Sequence, residues 1–171
     1  MGSRGPVSRG VIYARQLSQQ GLVALHDGRI ADAEKRFSEA IDHCPANTTA
    51  RYQLANCLWK RGAHHEAITR LTEAIEMSNS PDADMTIELA YMQANVGRLN
   101  EAMRLAERAI RLMPDDPAAW QLHGDVLNAS GEWRPALASL HRALALDPDN
   151  VHVQLATAEI YAQLELSLIH I

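Results

Sequence analysis

Four glycines keep step along this chain. Gly28, Gly62, Gly97 and Gly131 follow one another at intervals of 34, 35 and 34 residues. Five positions after each comes an alanine: Ala33, Ala67, Ala102 and Ala136. Seven further on comes a second: Ala40, Ala74, Ala109 and Ala143. Pro45, Pro114 and Pro148 close three of the four blocks, and Asn79 takes that place in the other. A register held this often leaves few solutions. A period of this length marks a stack of like supersecondary units, none of which buries its apolar face alone.

The spacing has a physical reading. Each block has room for about 14 residues of helix on either side of its glycine, three to four turns each. Glycine suits the end of the first helix, where the chain turns through positive φ. The alanines let two helix axes approach closely, since larger side chains would push them apart. The proline has no N–H and clashes with a continuing helix, so the second helix stops before it. Pro114-Asp115-Asp116-Pro117 and Asp147-Pro148-Asp149-Asn150 read as turns that cap the next helix.

Trp120, Gly124, Gly131, Ala136, Leu140, Ala143 and Pro148 sit in one block in the order and spacing that resemble the tetratricopeptide repeat, with His123 where leucine is usual. Leu17, Gly21, Gly28, Ala33, Phe37, Ala40 and Pro45 repeat the pattern. The repeats read as 14–47, 48–82, 83–116 and 117–150, with 151–164 as the first helix of a fifth, incomplete one. The resemblance implies an all-α fold: a right-handed α-solenoid of stacked antiparallel helix pairs, a superhelix whose concave face is lined by the first helix (A) of each pair. It also implies which positions face that groove. These give Tyr52, Asn56, Trp59 and Lys60 in the second repeat, Tyr91 and Asn95 in the third, and Gln121, Asp125 and Asn128 in the fourth. Arg15, Ser18, Leu22 and Thr49 occupy the same positions nearer the start. Asparagine and glutamine can each donate to and accept from a peptide backbone. Tyrosine and tryptophan supply rigid apolar area with a polar tip. A peptide or protein partner is therefore expected. The Lys and Asn set with which chaperone-tail binders of this family clamp a carboxylate is missing, since Ser18, Leu22, Asp84 and Glu88 occupy its positions.

Composition removes other classes. Lys and Arg total 16 against 21 Asp and Glu, a net charge of −5. That is a poor footprint for nucleic acid, which demands clustered positive charge. No apolar run approaches the roughly 20 residues of a membrane helix. Residues 1–10 lack the apolar core of a secretory signal and read as a flexible tail, which favours a cytoplasmic chain. Two cysteines make no disulfide framework. Eight histidines show no paired spacing with a third ligand, so neither metal nor cofactor is expected. His123 is expected to hydrogen-bond across a helix seam, and Cys57 to be a small buried hydrophobe. Residues 165–171 read as a non-native tail on a chain truncated at its C-terminus. The apolar helix before them leaves an end expected to self-associate.

No phosphate loop, nucleophile elbow or paired carboxylates appear. The favoured function is a non-catalytic protein-interaction scaffold. The alternative is the repeat region of a larger multidomain enzyme, such as a protein glycosyltransferase, kinase or peptidase fusion. The asparagine ladder of the glycosyltransferases is absent, its positions holding Gln19, Gln53, Glu88 and Leu122.

Overall fold

The computed structural model describes residues 9–78 and 82–169. Most of the expected N-terminal tail, together with Asn79 and the last two residues, lies outside the described residues. Among those described, every regular element is a helix: α1 (Arg9–His26), α2 (Ile30–His43), α3 (Thr48–Lys60), α4 (His64–Met77), α5 (Ala83–Asn95), α6 (Leu99–Leu112), α7 (Pro117–Ala129), α8 (Trp133–Leu146) and α9 (Val151–Ile169). They group into two compact units, α1 to α4 and α5 to α9. In the first, α1 packs on α2, α3 on α4, and α2 against α3. In the second, α5 pairs with α6 and α7 with α8; α6 lies against α7, α9 on α8, and α7 also meets α5 and α9. Each unit is thus an all-α run of stacked helix pairs, with odd-numbered helices as A and even-numbered as B.

Two boundaries differ from the sequence reading. Helix α1 takes in Arg9 and Gly10, assigned above to the tail. The first turn of a helix has unpaired N–H groups in any case, so glycine is tolerated there. Helix α9 runs on to Ile169, past Leu164 and into the stretch read as a separate tail. No glycine or proline interrupts it.

The two ends of a helix pair are closed by different means. The A helices α3, α5, α7 and α9 begin at Asn47, Asp82, Asp116 and Asn150, whose side-chain oxygens accept from the N–H of Ala50, Met85, Ala118 and Val153 at 2.9–3.2 Å. The B helices α2, α4, α6 and α8 have no side-chain cap. Their entry is set by the turn before them. The four register glycines stand at φ between +75° and +87°. The residue after each donates its N–H five residues back, Arg29 to Ala24, Ala63 to Leu58, Arg98 to Gln93 and Glu132 to Leu127, at 2.8–2.9 Å. A left-handed residue followed by this long bond satisfies the last carbonyls of the A helix. A side chain at φ near +80° would be strained even where, as at Gly62, there is open space for it.

A second recurrent bond crosses the turns between pairs. Arg51 Nη2 donates to the Pro45 carbonyl at 3.0 Å, Trp120 Nε1 to Pro114 at 2.7 Å, and Gln154 Nε2 to Pro148 at 2.7 Å. Three unlike side chains do one job at one repeat position. Thr86 holds that position in the third repeat. It is fully buried, and its hydroxyl donates instead to the Asp82 carbonyl.

The core is built from size-matched pairs. All eight register alanines are fully buried. Between them α2 and α8 each direct one side chain at a glycine of their own A helix. A Cβ added at Gly21 would lie 2.7 Å from the Phe37 ring, and one at Gly124 would lie 2.7 Å from Leu140. The corresponding residues are Ala55 with Leu71, and Ala90 with Ala106, all fully buried. His123 Nδ1 reaches Ser139 Oγ at 2.8 Å across the α7–α8 seam, as expected, and burial lowers its pKa. Cys57 is buried, and loss of solvent pushes its thiol up to about 11.

Gln93 is the misfit. It stands where Leu58 and Leu127 stand in their repeats, is 8% exposed, and leaves its Oε1 buried without a partner. A buried acceptor with no donor costs more than its hydrogen bond is worth. Gln93→Leu is expected to raise stability by about 1 kcal/mol, read as a higher urea midpoint. An unchanged or lower midpoint would show that the amide is solvated.

Candidate functional site

In the first unit, Tyr52 and Asn56 lie one turn apart on α3 and are half-buried, and Asn56 Oδ1 is buried without a partner. Lys60 is exposed at the end of the same helix. Trp59 takes a different course. Its ring lies 4.2 Å from that of His64, tilted by 33°, so its face is spent on the first residue of α4. The four residues share one helix, α3.

A hollow of about 480 Å³ opens between α1 and the start of α3, and none of those four residues lines it. Arg15, Ser18, Leu22 and Thr49 line it, together with Val11 and Asn47. Asn47 is positioned twice: its oxygen caps α3 and its amide donates to Ser18 Oγ at 3.1 Å. The resemblance had put the first four on the groove; Asn47 and Val11 were not legible as site residues. The signal for Asn47 was its place as a helix cap facing a serine of the preceding A helix. A larger hollow of about 880 Å³ lies on α1 and α2. Two of the cations on its walls are paired, Arg29 with Asp27 and Asp32, and Arg36 with Glu39.

The second unit carries a connected polar chain. The Tyr91 hydroxyl on α5 donates to Asp125 Oδ2 on α7 at 3.4 Å. Gln121 stands one turn before Asp125 on α7 and accepts from Asn150 Nδ2, at the start of α9, at 3.4 Å. Burial raises the Asp125 pKa, and the neighbouring Gln121 and Tyr91 side chains oppose the rise. The Tyr91 phenol is raised by burial, then by the charge of Asp125. So Tyr91, Gln121 and Asp125 are brought together, with Asn150 added. Asn95 is not. Its amide folds back to the Tyr91 carbonyl at 2.8 Å on its own helix. Asn128 is half-buried one turn beyond Asp125.

The outer B helices carry ion pairs, Arg104 with Glu101 and Arg111 with Glu107. Among the described residues no group of three or more His, Cys, Asp or Glu side chains could hold a metal ion, and no helix is long and apolar enough to cross a membrane.

Comparison with known proteins places these features in a family. Sequence models of the tetratricopeptide repeat match residues 24–74, 58–126 and 122–166. The chain is 27% identical over 158 residues to cellulose synthase operon protein C of Xanthomonas axonopodis pv. citri, covering 84% of this chain and 10% of that protein. It is 25% identical over 128 residues to the human protein O-mannosyl-transferase TMTC1, covering 72% of this chain and 14% of that one. Among solved structures, MamA from Desulfovibrio magneticus RS-1 superposes with a TM-score of 0.82 at 16% identity, over 94% of this chain and 88% of that chain. YrrB, described as a TPR protein with an unusual peptide-binding site, gives 0.72 at 18% identity, over 87% and 76%.

Proposed function

Because the chain belongs to the tetratricopeptide-repeat family, we propose that it binds a peptide or helical segment of a partner protein on its A-helix faces and performs no reaction itself. The observation that carries this reading is the open hollow between α1 and α3, on the A helices that also bear Tyr52 and Asn56. Polar side chains on its walls, Gln19 and Thr49 among them, would pair with the backbone of an incoming segment. That YrrB has a peptide-binding site agrees with it. The repeat division at 14–47, 48–82, 83–116 and 117–150 is part of this proposal, as is self-association through α9, whose Val151 and Leu155 are exposed.

Replacing Tyr52 and Asn56 together with alanine is expected to abolish capture of a partner in a pull-down. Helicity by circular dichroism should persist, because neither residue is in the buried core. Undiminished capture would remove this face from consideration.

A second reading has its own support. The chain spans only 10% and 14% of the two curated relatives, one of them a transferase by name. On this reading it is the repeat region of a larger multidomain protein with its catalytic part elsewhere. Reading the complete gene at its source locus decides between the two.

A further inference from the structure

The charged side chains of the second unit are sorted by helix. No Lys or Arg occurs on its A helices α5, α7 and α9, while Asp84, Glu88, Asp125, Glu159 and Glu165 do. Its Lys and Arg residues all lie on α6 and α8, apart from Arg98 in a turn. The first unit is sorted the other way. Its A helices α1 and α3 carry no Asp or Glu, and Arg15 and Lys60 are exposed on them. Helix stability does not ask for this, since i,i+4 pairing favours mixing the signs on one helix. Helix α6 does mix them.

Asp125 is the acidic residue of the second unit's A helices that joins the polar chain at Tyr91. Its carboxylate is half-buried, accepts from the Tyr91 hydroxyl and has the neutral Gln121 as a neighbour. Glu88 stands near enough to act on Tyr91 by its charge. Among the described residues, no Lys or Arg pairs with Asp84, Glu88 or Asp125. A partly desolvated carboxylate fixed by hydrogen bonds but lacking a counter-charge is stabilised by an arriving cation, and it steers one in. Tyr91 beside it adds an aromatic surface suited to a guanidinium or ammonium group.

We infer that the A-helix face of the second unit takes a basic segment of a partner protein, with a Lys or Arg side chain seated on Asp125. This rests on the reading of the A helices as the binding face and adds the charge of the occupant. Phosphate-bearing partners are repelled by the same carboxylates, and the cationic A helices of the first unit repel a basic segment.

The test is selection from a displayed library of random peptides on the folded protein, followed by anisotropy titration of a labelled peptide of alternating Lys and Ala. Retained peptides are expected to be rich in Lys and Arg. The Lys-Ala probe should bind more weakly as salt rises. Asp125→Asn should weaken it about tenfold, equivalent to ~1.4 kcal/mol, while helicity is kept, because the amide still accepts from Tyr91. Glu88→Gln should weaken it less. Retained peptides without basic residues, or an Asp125→Asn variant that binds the probe as tightly as the native chain, overturns the inference and leaves the A-face reading standing. If no peptide is retained at all, that reading fails and this one with it.

Discussion

Replacing Phe37 with alanine is expected to cost about 3–5 kcal/mol of folding stability. Phe37 is the chain's sole phenylalanine and is fully buried. Its ring fills a space that exists only because residue 21 has no side chain, and a Cβ there would stand 2.7 Å from it. Truncation leaves a cavity that the rigid hairpin of α1 and α2 closes poorly. The pairing makes the prediction sharper than a generic core deletion. Phe37→Leu alone under-fills the site, and Gly21→Ala alone over-fills it. The two together restore the Ala55 and Leu71 combination of the next hairpin and should recover much of the loss. Urea midpoints of the four variants check this. A double variant no more stable than Phe37→Leu alone would end the size-matching account.

Leu140→Ala is expected to cost about 2–5 kcal/mol, and its effect should stay local. A stack of helix pairs draws its stability from each pair and its immediate neighbours, so a lesson in one pair need not spread far. Hydrogen exchange should quicken in α7, α8 and α9 and stay unchanged in α1 and α2. The sign of a second substitution should also reverse. Gly124→Ala collides with Leu140 in the native chain, but in the Leu140→Ala background only the Ala136 carbonyl, 3.3 Å away, stays close to the new methyl, and the better helix propensity of alanine should make the change stabilising. Faster exchange throughout the chain, or a Gly124→Ala effect of the same sign in both backgrounds, would contradict the account.

Much of the fold was legible because it rests on residues chosen for what they lack. Glycine at positive φ, alanine at a close contact and proline at a helix end each have few substitutes, so the period survives in the letters. The caps at Asp116 and Asn150 were legible for the same reason. The bond to the preceding proline carbonyl was not, because Arg51, Trp120 and Gln154 share only reach and an N–H. The site was legible in part. Position in the repeat brought out Tyr91, Gln121 and Asp125, but not that Tyr91 bonds Asp125 or that Asn150 bonds Gln121. Trp59 and Asn95 lie on the expected helices, yet their side chains are taken up by His64 and by the Tyr91 carbonyl. Those outcomes depend on rotamers, which a repeat pattern does not encode.

The size-matched pairs have a consequence for ancestry. Gly21 with Phe37, Ala55 with Leu71, Ala90 with Ala106 and Gly124 with Leu140 are each separated by the same length of chain, and both members of a pair lie in one hairpin. A change in one member is compensated a short way along the same stretch of gene. Copying or exchanging a stretch cut at the proline turns therefore carries both halves of the fit with it, and such a chain can lengthen or shuffle without renegotiating its interior.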